Sequence, residues 1–265
     1  MTIRAVIETC GPGHRRHDVA RNIASYANFP AMRIIAGEYR SRVLKSLKGD
    51  ALRPTSDRLR ETLFNILGTD VAGARFLDVF AGTGAVGIEA LSRGASEVIF
   101  LEKHAPAAKL IRRNLDALGI TSGATIFTAD ALASLEKLAA RRAAPVAQAL
   151  LPVPLKQRPN VSAKTGVAHD AAEAGVPVLQ EEPPPTPALI KFVFLDPPYA
   201  AHDDYARTLA FLGSDAATFL ALDALIIFEH HHKFTLPETA GRLTHTRLLK
   251  QGDAALTFFR RTTSC

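Results

Sequence analysis

The sequence predicts an α/β domain built on a doubly wound, mostly parallel sheet. Three observations carry that reading. Short apolar runs alternate with segments of helical character between residues 75 and 142, with short connections. Two of the runs, within FLDVFAGTGAVG (Phe76–Gly87) and FVFLDPPY (Phe192–Tyr199), end in residues suited to chemistry, as buried parallel strands do at their carboxyl ends. Finally, Arg242–Lys250 and Ala254–Arg261 flank Gln251-Gly252-Asp253, a hairpin that closes the sheet with antiparallel pairing.

Taken in order, residues 1–31 have no periodicity, carry Gly11-Pro12-Gly13, and read as a disordered leader; Met32 is a second candidate start. Met32–Leu47 alternates loosely and is rich in arginine, which predicts a small β-hairpin or extended arm, with the basic segment running to Pro54. Thr55, Ser56 or Asp57 can cap the next helix. Its apolar face is Leu59, Leu63, Ile66 and Leu67, with Arg58 and Arg60 pointing elsewhere and Gly68 as the stop. Strands at Arg75–Phe80, Val98–Glu102 and Thr125–Thr128 then alternate with helices at 84–92, 106–118 and from Asp130 to about Arg142. The rhythm stops there. Residues 143–188 hold nine of the sixteen prolines and no period, so they read as a disordered insertion. Strand four is Ile190–Leu195, followed by helices at 204–212 and 216–222, strand five at Ala224–Glu229, and the hairpin.

Composition narrows the function classes. The chain has 265 residues, 47% of them hydrophobic, enough for a substantial core. It has no apolar run that would span a bilayer and no signal-peptide core, so a cytoplasmic protein without membrane contact is expected. Cys10 and Cys265 provide neither a disulfide framework nor a zinc site. The net charge is +6, and between Met32 and Arg60 eight basic residues face three acidic ones. Arg33, Arg40, Arg42, Lys45, Arg53, Arg58 and Arg60 are therefore candidates for tracking a phosphate backbone, against the plainer reading of a solvated basic face.

The chemistry sits at the strand ends. Gly82, Gly84 and Gly87 match a dinucleotide fingerprint, and Glu102 follows at a distance suited to ribose hydroxyls, so a nicotinamide enzyme is one reading. Asp78 argues against it. A fixed negative charge beside the turn disfavours a pyrophosphate and favours a cationic ligand such as the sulfonium of S-adenosylmethionine. Asp130 is placed to accept from an adenine amino group, or simply to cap its helix. In Asp196-Pro197-Pro198-Tyr199 the prolines end the strand and stiffen the backbone. The Asp196 carboxylate and the Asp196 and Pro197 carbonyls then form an acceptor cluster, with Tyr199 as a stacking face for a planar base. His230-His231-His232 reads as a polar strand end with no metal expected, since neighbours on a strand point to opposite faces.

With RPTSDRLRETLFN (Arg53–Asn65), LDVFAGTGAVGIEALSRGA and FLDPPY in this order, the chain resembles the RsmD-type methyltransferases over Met32 to about Arg142 and Ile190 to about Arg261. That resemblance implies a Rossmann-like class I S-adenosylmethionine-dependent methyltransferase domain over residues 55–265, with a terminal antiparallel strand and an N-terminal hairpin that helps hold RNA. It implies transfer of a methyl group to the exocyclic N2 of a guanine, of the position-966 type, in bacterial 16S rRNA, with free rRNA or the assembling 30S subunit as partner and a monomeric enzyme. It places Asp78, Gly82, Glu102, Asp130 and Asn65 at the cofactor and Asp196, Pro197 and Tyr199 at the base. The rival readings are a DNA adenine-N6 methyltransferase, which shares Asp-Pro-Pro-Tyr, the oxidoreductase, and a non-catalytic ribosome-assembly factor.

Overall fold

The computed structural model describes residues 32–46, 56–149, 188–198 and 202–262. Its strands are β1 (Arg75–Val79), β2 (Glu97–Leu101), β3 (Ala124–Phe127), β4 (Ile190–Leu195), β5 (Leu220–His231), β6 (Thr239–Ala240), β7 (Leu243–Gln251) and β8 (Ala254–Arg261). They form one sheet in the order β3-β2-β1-β4-β5-β8-β7-β6. The first five are parallel, and β8, β7 and β6 add to β5 antiparallel. The strand order reverses between β1 and β4, which is where an open α/β sheet leaves a crevice at its carboxyl edge. The architecture is Rossmann-like with an antiparallel ending, as the apolar runs and the final hairpin predict.

Side-chain alternation builds two cores. Phe76, Phe192 and Phe194 bury on one face, while Leu77, Val79, Val193 and Leu195 bury on the other. The first face is covered by helices α1 (Asp57–Leu67), α2 (Ala85–Ser92) and α3 (Ala105–Leu118). The second is covered by α4 (Ala131–Ala149) and α5 (His202–Leu212). Ser56 caps α1, its hydroxyl accepting from Leu59 N–H at 3.2 Å, and Leu59, Leu63 and Leu67 are buried as their spacing requires. Among the described residues no helix is long and apolar enough to cross a membrane.

Two boundaries differ from the sequence expectation. No helix forms at 216–222. Residues 213–219 are turns, held by Thr218 N–H to the Ala216 carbonyl at 2.8 Å, and Leu220 already pairs with Ile190 at the start of β5. So short a segment is marginal as a helix, and the ladder to β4 claims its end. Helix α4 runs to Ala149, past Pro145, because the alanine-rich sequence on either side favours helix more than one proline interrupts it. The leader and residues 150–187 of the expected insertion lie outside the described residues.

The basic arm is a minimal hairpin. Arg33 and Val43 form an antiparallel bridge, and the Ile34 and Leu44 amides donate to the Arg42 and Met32 carbonyls at 3.0 and 2.9 Å. Met32, Ile34 and Leu44 bury into the first core. The anchor is Glu89 on α2, whose side chain is fully buried. Its carboxylate accepts from the Ile35 and Ala36 amides at 2.8 and 3.0 Å and from Arg93 Nε at 2.8 Å. Ser92 Oγ donates to the Ala36 carbonyl and accepts from Tyr39 N–H. Asn114 on α3 accepts from Lys45 N–H at 2.9 Å and donates to the Lys45 and Thr83 carbonyls at 3.1 and 3.2 Å. Truncating Glu89 leaves two arm amides and a cation without their acceptor. Glu89→Ala is expected to lower stability by about 3 kcal/mol in urea unfolding and to open the arm to proteolysis, with Glu89→Gln losing less.

Candidate active site

The turn after β1 is shaped by backbone that most side chains avoid. Phe80, Gly82 and Gly84 have φ values of 63°, 54° and 77°. Phe80 is the unusual one, a bulky residue in the left-handed region, held there by its place between β1 and the glycines. A Cβ on Gly82 would meet only the Phe80 carbonyl, at 3.9 Å, so the turn presents an open face. Gly87 has a different role. A Cβ there would sit 2.3 Å from the Phe100 ring, so its lack of a side chain lets α2 lie close against β2.

Two carboxylates hold this turn from behind. Asp78 on β1 is buried, and its Oδ2 accepts from Gly87 N–H at 2.8 Å. Glu102, just after β2, accepts from Gly82 N–H at 2.7 Å through Oε2 and from His104 N–H at 2.7 Å through Oε1. Both acids therefore brace the backbone of the turn. Burial pushes the Asp78 carboxyl up to about 8, opposed by the Gly87 hydrogen bond and reinforced by the nearby Glu102 charge.

The second half of the site comes from β4. Val79 lies opposite Leu195 in the parallel ladder, and Asp196 N–H reaches the Val79 carbonyl at 3.4 Å. The Asp-Pro-Pro segment thus leaves the sheet beside the glycine turn and on the same rim. Asp196 is half-buried, Pro197 buried and Pro198 exposed; Tyr199 lies outside the described residues. The Tyr205 hydroxyl, on α5, lies 3.2 Å from the Pro197 carbonyl.

The chain is similar to known proteins over most of its length. The family described as Conserved hypothetical protein 95 matches residues 32–146 and 164–260. A Bacillus subtilis protein named putative rRNA methyltransferase YlbH is 32% identical over 216 residues, which is 82% of this chain and 91% of that relative. The ribosomal RNA small subunit methyltransferase D of Haemophilus influenzae is 47% identical over 91 residues, 34% of this chain and 47% of its own length. The solved structure of the putative methyltransferase yhhF from Escherichia coli matches with a TM-score of 0.60 at 28% identity, covering 88% of this chain and 98% of its own. The chain belongs to the RsmD-type methyltransferase family.

Of the other residues that the RsmD-type resemblance points to, Asp130 is exposed and caps α4, its Oδ1 accepting from Leu132 N–H at 3.0 Å. Asn65 is exposed on α1, outside the hydrogen bonds that build the turn. Arg33, Arg40, Arg42, Lys45 and Arg58 are exposed, whereas Arg53 lies outside the described residues. Arg60 contradicts its expected role. It is fully buried and its Nη2 donates to Asp57 and to the Arg33 carbonyl, both at 2.7 Å, so it ties the arm to α1 rather than meeting a phosphate. The helical spacing left it off the leucine face, but the arm folds over that side.

The histidine run also differs from expectation. His230 turns inward to Thr257 Oγ1 at 2.7 Å, while His231 and His232 stack at 4.5 Å and lie with Asp253 such that one ligand atom of each falls within 4.8 Å of the others. The strand ends at His231, so His232 escapes the alternation that separates strand neighbours. In these positions His232 Nδ1 lies 3.2 Å from the Asp253 carbonyl and His231 Nδ1 accepts from Lys233 N–H. Glu89, Asn114 and Tyr205 were not identified from the sequence; their partners lie far away in the chain or are backbone atoms.

The raised Asp78 carboxyl has a consequence for stability. Between about pH 4 and 8 the folded protein keeps a proton that the unfolded chain has released, so this group's contribution falls as pH rises. Asn keeps an acceptor for Gly87 N–H but cannot titrate. Urea unfolding across that window is expected to show the protein losing stability with rising pH, and Asp78→Asn losing distinctly less.

Proposed function

We infer that this chain uses S-adenosylmethionine to methylate the exocyclic N2 of a guanine in small-subunit ribosomal RNA, at a position of the 966 type. The observation that carries the reading is the adjacency of the Asp196-Pro197 segment on β4 and the glycine turn on β1. The relatives named as rRNA methyltransferases supply the substrate class.

The residues at the turn fit the cofactor. Its open face over Gly82 leaves room for a ligand, and a molecule carrying a sulfonium and an ammonium would favour release of the Asp78 proton, so that the acid is charged when the cation is present. The same residues suit a pyrophosphate poorly, since carboxylates already occupy the Gly82 and Gly87 amides that would otherwise face phosphate. This weighs against the oxidoreductase reading. Bound there, the cofactor supplies an electrophilic methyl group. Asp78, Gly82, Gly84 and Glu102 form its cradle, with Asp130 and Asn65 as more distant candidates.

The chain's own chemistry is positioning. The Asp196 carboxylate and the Pro197 carbonyl accept the two N–H groups of the target amine. That holds the nitrogen lone pair out of the ring plane, and the acceptors stabilise the positive charge that develops on nitrogen. Asp196 then takes the proton that the amine gives up. Tyr199 stacks on the base, which must be unpaired or extruded to reach the rim. Arg33, Arg40, Arg42, Lys45 and Arg58, with Arg53, hold the surrounding phosphates, and the arm's anchorage on α2 and α3 fixes them relative to the turn.

Tritiated methyl transfer tests the reading on 16S rRNA, 30S particles and DNA side by side. Label is expected in RNA, and Asp196→Ala is expected to reduce it at least 100-fold while RNA binding persists. Label in DNA alone would favour the adenine methyltransferase, and RNA binding without any transfer would favour an assembly factor.

A further inference from the structure

Tyr205 stands out among the buried polar groups that the reaction does not yet use. It lies in the first turn of α5, nine positions after Asp196, and is 2% exposed. Its ring packs at 6.2 Å from Phe228 and 5.0 Å from Phe234, which fixes the direction of the hydroxyl. That hydroxyl lies 3.2 Å from the Pro197 carbonyl and 3.0 Å from the Glu229 carbonyl. Two adjacent strand ends, β4 and β5, therefore meet at one oxygen.

The Pro197 carbonyl needs such a partner. Beyond Leu195 the chain leaves the β1–β4 and β4–β5 ladders, and neither proline has an N–H to tie the segment back. On the β1 side the segment is held by the long 3.4 Å contact from Asp196 N–H. The Tyr205 hydroxyl, whose single proton is shared between the Pro197 and Glu229 carbonyls, supplies the contact on the opposite side. A carbonyl oxygen has two lone pairs, so taking one sets the direction of the other.

We propose that Tyr205 is a positioning residue for the methyl acceptor: its hydroxyl orients the Pro197 carbonyl so that the remaining lone pair meets the amino group of the target base. This rests on the methyltransferase reading above. Tyr205 touches neither cofactor nor base, and it acts on the reaction through one backbone oxygen.

Tyr205→Phe removes that oxygen and keeps the ring. The expected result is a kcat on rRNA about tenfold lower, with the Kd for S-adenosylmethionine unchanged. Leu209→Ala serves as the packing control, since Leu209 is buried in the same core layer and leaves the hydroxyl in place. It is expected to lower Tm while kcat stays near that of the unaltered protein. The carbonyl ¹³C resonance of Pro197 gives a readout independent of turnover and is expected to shift in Tyr205→Phe. Unchanged turnover in Tyr205→Phe, an unmoved Pro197 resonance, or a parallel loss of kcat in Leu209→Ala would each overturn the proposal. Absence of methyl transfer by the unaltered protein would instead remove the reading on which it rests.

Discussion

Val79 faces Leu195 in the ladder between β1 and β4, and the site depends on that register. Both strands are buried on both faces along most of their length, so polar groups concentrate at and just beyond their carboxyl ends, with Asp78 the one acid inside β1. The pairing makes the two ends coincide. A glycine turn with acids behind it and a proline-stiffened carboxylate emerge side by side, although more than a hundred residues separate them in sequence. A shift of register by one residue would exchange the two faces of β4, moving Phe192 and Phe194 into the wrong core. Packing therefore specifies the alignment of the two strand ends.

Charge is placed with the same economy. Asp78 and Glu102 occupy the amides that shape the turn, so no bound ligand is needed to satisfy them. Burial favours the protonated form of Asp78, with the Glu102 charge adding to it, and a cation arriving at the turn would favour release of that proton. On the other side of α2, Glu89 buries its charge against arm amides and Arg93. Asn114 links the Lys45 backbone to the Thr83 carbonyl inside the turn, so the basic arm and the glycine turn share one side chain as support.

Much of this was legible in the residues. The alternation of FLDV and FVFL, the leucine stripe of α1 and the glycine punctuation follow from local rules, and β1, β4, α1, α2 and α3 lie within about two residues of their expected places. What local rules could not supply was proximity. The spacing that put Arg60 off the apolar face does not reveal that Met32–Leu44 folds over it. Residues 216–222 have the composition of a short helix, and only the pairing of Leu220 with Ile190 takes that choice away. The strand end at Asp196 and Pro197 was legible in its own sequence; the Tyr205 hydroxyl that meets the Pro197 carbonyl was not, because an isolated tyrosine in a helix signals nothing.

The central claim is that the two neighbouring strand ends serve one methyl transfer to small-subunit rRNA. The most direct measurement is mass-spectrometric mapping of methylated nucleotides in 16S rRNA from cells with and without the gene. The account predicts that one guanine loses its N2 methyl group in the deletion and regains it when the gene is restored. Identical methylation maps in the two strains would contradict it.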